Sequence, residues 1–361
     1  MHLLAAALVF VGVNVVPMDT ERVLLGQTVV VEDAHIVQIG PVDAVPIPDD
    51  ARVIYGRGRW LVPGLVDMHV HIIEADLPRY VENGITTVRD LAGLNSVLAL
   101  VGRPNGPRIL ASSKLLTGAS PQNPFFSRPV TSVNAAATAV DEQLARGATS
   151  IKVYDGLTQP VYDAIVSAAR ARGVKVAGHV TNNVPIAHAM AMQDSIEHLS
   201  GYPLGIDDQG LAEASRESGV WNCPTMIVFT RHVTRDMPEP ARTQFLNARR
   251  ALLTALDEAG ARILAGTDAG YLVPAGTSLH DELAELRDAG LTPFEALSAA
   301  TRSAGEYLDD PTLGVIEPGA RADLVLVAEN PLENLATLRT PAGVMLRGRW
   351  ISYGKRRTLR P

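Results

Sequence analysis

Apolar residues recur along this chain in two rhythms. Near the start they form short runs rich in Val and Ile: "ALVFVGVNVVPM", "QTVVVEDAHIVQIGP" and "ARVIYGRGRW", broken by Gly, Pro and Asp. That texture predicts strands joined by turns. "VEDAHIVQIG" predicts two strands around a tight turn at Asp33-Ala34. The same texture returns at 322–330 ("ADLVLVAEN") and 342–355 ("AGVMLRGRWISYGK"), after the turn "EPGARAD". Two β-rich ends around a different middle predict one small domain built from both termini, which often lie close in space.

From about 60 to 310 the rhythm alternates. Short apolar strands fall at "GLVDMHVHI", "GITTVRDLA", "PRILASSKLL", "TSIKVYDG", "VKVAGHVT", "DSIEHLSG", "GVWNCPTMIV" and "RILAGTDAG". Helical patterns lie between most of them. Residues 132–147 open on a Ser cap and end at Gly, 159–173 carry an early Pro, and 292–308 open with Thr, Pro and Glu. Eight strands alternating with helices predict an α/β fold, a (β/α)8 TIM barrel over 61–314. Residues 1–60 together with 315–361 are expected to form a composite β-sandwich.

In such a barrel the chemistry gathers at the carboxyl ends of the strands. The first expected strand ends in His69-Val70-His71, the second in Arg89-Asp90, and the fourth carries Lys152. The fifth ends in His179, the sixth in His198 and the eighth in Asp268. Positions i and i+2 of a strand share a face, so both imidazoles of the first strand are expected to point into the barrel mouth. Burying imidazoles is unfavourable unless they are paired. A lone His-x-His fits a hydrogen-bonded core as well as a ligand pair. The ordered set across five strands points to a divalent metal such as zinc. Lys152 has three readings: a neutral amine ligand, a carbamate formed with CO2 whose two oxygens could bridge two ions, or an ion pair with Asp155 or another carboxylate. Asp90 is read as an acceptor from a ligand imidazole, a partner of Arg89 or a cap of the next helix, and Asp67 as orienting the His69–His71 segment or making a strand-end hydrogen bond.

Composition narrows the function. The chain has 361 residues, 47% hydrophobic and 20% charged, enough for a large core. A net charge of −7 argues against a nucleic-acid partner. The basic tail 354–361 reads as a solvated end. One cysteine, Cys223, rules out an intrachain disulfide and sits in an apolar run as an inert thiol. The N-terminal run lacks a cationic start and is too short for a membrane span, so it reads as a strand. The expected compartment is the cytoplasm, with export left open. The expected partner is a small-molecule substrate, with no nucleic acid and no membrane; a homo-oligomer stays open.

The segments "PGLVDMHVH", "GITTVRD", "SIKVYDG", "AGHV", "SIEHLSG", "AGTDAG", "GLTPFEALSAAT" and "LGVIEPGARADLVLV" resemble the amidohydrolase superfamily, in its imidazolonepropionase-like and prolidase-like branch. The resemblance implies a binuclear site: His69 and His71 with Asp268 on one metal, His179 and His198 on the other, and a carboxylated Lys152 bridging two divalent ions, with Zn2+ expected. It implies a metal-dependent hydrolase of amide or cyclic amide C–N bonds, with acyl amino acids or dipeptides as substrates. A metal-activated hydroxide would attack the carbonyl, and Asp268 would carry the proton to the leaving group. Ester, lactone or phosphotriester hydrolysis by the same site is the alternative. A mononuclear deaminase-type site and a non-catalytic scaffold are weaker competitors. Tyr154, Tyr202 and His280 are the candidate substrate contacts. The short segments 72–84 and 100–113 leave the substrate pocket to loops that the resemblance does not describe.

Overall fold

The structure is a computed structural model that describes residues 6–121 and 123–353, so the basic tail and the first five residues of the N-terminal run lie outside the described residues. Eight parallel strands pair in chain order: β1 (Leu65–Val70), β2 (Ile85–Asp90), β3 (Arg108–Thr117), β4 (Ser150–Val153), β5 (Val176–Gly178), β6 (Ser195–Glu197), β7 (Trp221–Cys223) and β8 (Arg262–Ile263). Backbone bonds close the ring between its ends. Met68 N–H donates to Ala265 O (2.9 Å), Asp268 N–H to His69 O (2.8 Å) and His71 N–H to Ala269 O (2.7 Å). This is the TIM barrel expected from the strand runs.

The helices around it bury one apolar stripe each. Gln159–Arg170 presents Val161, Tyr162, Ile165, Val166 and Ala169 inward, and each large aliphatic side chain there contributes about 1.5–3 kcal/mol. One helical expectation changes. Residues 292–308 form two helices, Pro293–Ala299 and Arg302–Tyr307. The Thr292–Glu295 capping box is present, but the carbonyls of Ala299 and Ala300 accept the N–H groups of Ala265 and Val66. Strands at the floor of the barrel thus take the acceptors that a continuous helix would use.

The second sheet joins Leu8–Val15, Leu24–Glu32, His35–Pro41, Arg52–Tyr55 and Trp60–Pro63 to Leu324–Val327, Gly343–Leu346 and Arg349–Ser352. Its seam is antiparallel, with Leu61 opposite Leu326 and Val62 opposite Val325. Asp33 and Ala34 both have positive φ (43° and 65°), the handedness that a two-residue hairpin loop needs. Both faces of the seam are covered. Leu61, Leu324, Leu326 and Met345 pack with Phe10, Val13 and Val29, while Val62, Val325, Val327 and Val344 pack with the barrel. Double burial explains why "DLVLV" shows no polar alternation. Gly64 then leads into β1. A Cβ there would stand 2.3 Å from Thr86 Oγ1, so only glycine fits the crossing. No helix among the described residues is long and apolar enough to cross a membrane.

Candidate metal centre and active site

The barrel mouth is built around His69, which is fully buried. Its Nδ1 lies 2.7 Å from Glu197 Oε2. Glu197 is equally buried and accepts through Oε1 from Arg89 Nη2 (2.8 Å) and Ser195 Oγ (2.7 Å). Arg89 also donates to Met68 O through Nε (2.6 Å), so β1, β2 and β6 are cross-braced under the site. Against an ionised carboxylate, His69 Nδ1 carries the proton. That leaves Nε2 as a lone-pair donor, 3.5 Å from Asp268 Oδ1. The backbone before His69 is pinned as well. Asp67 accepts from His69 N–H (3.3 Å), Thr267 N–H (3.1 Å) and Thr267 Oγ1 (2.7 Å).

The other groups converge on the same place. His71 Nε2 is 2.8 Å from Asp268 Oδ1. The His198 ring lies 4.5 Å from that of His69 and 4.9 Å from that of His179. His198 Nδ1 meets Thr225 Oγ1 at 2.7 Å, and His179 Nδ1 faces Asp155 Oδ1 at 3.3 Å. Both His198 (φ 63°) and Asp268 (φ 59°) sit in the left-handed region, where the chain leaves its strand. Lys152 is 1% exposed and lines the same cavity.

Burial sets the electrostatics, and neighbours modify it. Desolvation, then nearby Lys152, lowers His69 to about 4 against the pull of Glu197. Desolvation also lowers His179, and lowers His198 strongly, so all three imidazoles are neutral donors at pH 7. His71 is raised: Asp268 outweighs the desolvation. Burial would raise Asp268, yet His71, His69 and His198 together hold it well below the carboxylate range. Desolvation lowers Lys152 to about 8, with Glu197 and Asp268 opposing.

This set suits a cation. His69 Nε2 and His71 Nδ1 are buried without a hydrogen-bond partner, and buried Asp268 Oδ1 has only the two imidazoles of His69 and His71 beside it. His69, His198 and Asp268 each offer a donor atom, all within 4.8 Å of one another. Buried polar atoms are rarely orphaned in such a group without a reason. Neutral imidazole and carboxylate are donors that divalent metals take.

The amidohydrolase family model matches residues 60–351. The chain belongs to the amidohydrolase family. Amidohydrolases typically bind metal, which accords with the donor set above. This amidohydrolase is 29% identical to an uncharacterized protein of Mycobacterium tuberculosis over 326 residues, covering 81% of this chain and 85% of the other. Among solved structures, a protein of Bifidobacterium longum assigned as a prolidase superposes with a TM-score of 0.85 at 26% identity, covering 96% of this chain and 95% of the other. A prolidase complexed with N-methylphosphonate-L-proline gives 0.81 at 25%, covering 96% and 100%.

The amidohydrolase site opens into a cavity of about 750 Å³. Its walls are largely apolar: Leu115, Phe126, Leu199, Val228, Phe229 and Leu272. Leu115 stands on β3 itself, and the others lie in the segments that follow β3, β6, β7 and β8. Tyr154 lines it too, its ring 4.1 Å from that of His179. Burial raises its phenol to about 12, so it stays protonated. Tyr202 and His280 are placed elsewhere. The Tyr202 hydroxyl donates to Asn222 (2.7 Å), and His280 is buried in the helix Thr277–Asp288; neither is on the cavity wall. Asp90 accepts from the backbone N–H groups of Ile72, Ala92 and Gly93, shaping the β2 loop rather than holding an imidazole. Asp155 faces His179, not Lys152. Cys223 is buried, and desolvation pushes its thiol up, as an inert core thiol requires.

Sequence reasoning missed Glu197, Thr225 and Arg249. Glu197 had a signal: an acid inside the apolar strand "SIEH", in a chain that also buries a strand arginine. Arg249 had one as well, since it falls on the stripe Leu246, Leu253, Leu256 of the helix Glu239–Glu258. Thr225 carried none.

Proposed function

We propose that this amidohydrolase cleaves an amide or cyclic amide C–N bond in an acyl amino acid or dipeptide-like substrate, at a site for two divalent ions. The carrying observation is the convergence of four histidines, Asp268 and a buried lysine at the base of one apolar cavity. In this reading His69 and His71 with Asp268 hold one ion, and His179 and His198 the other. Zinc fits such donors. Lys152 would serve both ions as a carbamate: its neutral amine adds to CO2, an N–C bond forms as one C=O π bond opens, and one proton is released. A burial-lowered amine near pH 8 makes that neutral form accessible.

Bound ions would lower the pKa of a water and polarise the scissile carbonyl. The chain's own groups do the rest. Asp268, kept ionised by its imidazole neighbours, accepts a proton on its carboxylate from the attacking water and passes it to the departing nitrogen. Glu197 holds His69 in the tautomer that leaves Nε2 free. Tyr154, protonated beside His179, supplies a hydrogen bond to the substrate. The apolar walls exclude water. The prolidase names of two structural neighbours support an acylated amino acid as the substrate class.

The test is metal analysis of the purified protein, then turnover of N-acyl amino acids, dipeptides and cyclic amides against esters, lactones and phosphotriesters. Amide turnover that follows divalent metal content is the expected result. A protein that binds no divalent metal, or one that turns over only the oxygen esters, overturns the reading.

A further inference from the structure

The cavity is not uniform. Ring contacts run in a row through it: Phe126 to His71 (6.5 Å between centroids), His71 to His69 (5.5 Å), His69 to His198 (4.5 Å) and His198 to Phe229 (6.5 Å). The two ends differ in chemistry. Beyond Phe126 the wall continues as Tyr271, its ring 5.7 Å away and 59% exposed. Beyond Phe229 stands Arg249, its guanidinium carbon 3.4 Å above the Phe229 ring.

Arg249 is 4% exposed and still lines the cavity. Through Nη2 it donates to two carbonyls, His198 O (2.7 Å) and Pro224 O (3.2 Å). Its Nε is buried without a partner. Among the described residues no carboxylate lies within ion-pair distance of it. The acid whose charge acts on it, Glu282, spends both oxygens on the N–H groups of Met226 and Ile227. A buried cation without an anion is unfavourable, and a fixed guanidinium fork matches a carboxylate. A docked anion would relieve that cost.

We infer that Arg249 is a specificity residue of this cavity, receiving the free carboxylate of an N-acyl amino acid at the His198 end while the acyl group lies against Phe126 and Tyr271 at the His71 end. The inference rests on the amide-hydrolase reading and selects within it: the substrate carries an anion on its amine half and an apolar or aromatic group on its acyl half. Neutral amides and cyclic amides without a carboxylate would be poor substrates.

The experiment uses the metal-loaded full chain with N-benzoylglycine and N-benzoylglycinamide, which differ by the charge that Arg249 would read. Benzoate release is followed in wild type, Arg249→Lys and Arg249→Met. Wild type is expected to prefer N-benzoylglycine roughly ten- to hundredfold in kcat/KM, the range of a charge-assisted hydrogen bond. Arg249→Met should bring that ratio near one, chiefly through KM, and Arg249→Lys should keep part of it. A purely structural role would lower both substrates together and leave the ratio intact. Equal turnover of the two by wild type, or a preference that survives in Arg249→Met, overturns the inference while leaving amide hydrolysis standing. If neither compound is hydrolysed, calorimetric binding of the same pair to wild type and Arg249→Lys decides: charge-selective binding weakened by lysine supports the anion site, and equal affinities overturn it. That wild-type comparison also serves if Arg249→Met fails to fold.

Discussion

Replacing Glu197 with glutamine removes one charge from a fully buried network. Three donors converge on that carboxylate: His69 Nδ1 at 2.7 Å, Arg89 Nη2 at 2.8 Å and Ser195 Oγ at 2.7 Å. A glutamine oxygen in the Oε1 place still serves Arg89 and Ser195 and turns the NH2 toward the His69 Nδ1 proton; turned over, it serves His69 and sets the NH2 against the other two donors. Hydrogen bonds to a charged group are worth about 1.5–3 kcal/mol each, so losing one or two costs about 1.5–6 kcal/mol. Removing one partner of a buried ion pair independently suggests about 3–5 kcal/mol, because Arg89 stays behind uncompensated. For a chain of this length about 3–5 kcal/mol corresponds to a fall in Tm of about 4–7 °C, read by calorimetry on the metal-free protein. His69 also loses its orienting acceptor, so metal affinity should drop about 10–100-fold in a chelator competition. Adding Arg89→Met removes the stranded cation and should recover part of the lost stability. A Glu197→Gln protein within about 1 kcal/mol of wild type, with no recovery in the double mutant, would refute the reasoning.

Lys152→Ala should abolish turnover, with partial rescue by acetate or propionate as detached carboxylates; wild-type activity in that variant rules out the bridging role. Glu282, raised by burial to about 8 from an ordinary 4.5, is held protonated by the fold. Its stabilising contribution is therefore complete below pH 4.5 and lost as pH rises through about 8. Glu282→Gln should flatten the decline of Tm between those values, and an unchanged slope counts against the assignment. A Cβ on Gly266 would stand 2.5 Å from Cys223 Sγ and 2.9 Å from His69 N. Gly266→Ala should thus lose about 1–3 kcal/mol by overpacking and weaken metal binding, and Cys223→Ala in the same chain should restore some of the stability. A normal Tm for the single variant would contradict the close fit.

The barrel was legible because its strands are buried on both faces, and each apolar run stops at a polar residue where the strand meets the cavity. His69, Lys152, His179, His198 and Asp268 stand out for that reason. Less was legible where a side chain's direction depends on distant packing. Tyr202 follows a site histidine closely, yet its hydroxyl turns to Asn222. His280 lies one loop beyond β8 and ends inside a helix. The break after Ala299 depends on N–H groups of Val66 and Ala265, far away in the chain. Glu197 and His69 are 128 residues apart, so their bond has no local trace. Arg249 and Arg250 look alike in sequence; the helix turns the first to the cavity and the second to Glu285.

The seam between Trp60–Pro63 and Leu324–Val327 bears on how the chain acquires its shape. The N-terminal strands can pair early, but Trp60–Pro63 keeps an open edge until residues 324–327 have been translated. Throughout synthesis of the barrel, the nascent chain therefore carries an unfinished sheet whose apolar edge can recruit a neighbouring chain. Closing it joins segments more than two hundred residues apart, a non-local step that is slow by its loop entropy. Yield at high expression should accordingly depend on chaperone supply and temperature more than on the strength of the finished barrel.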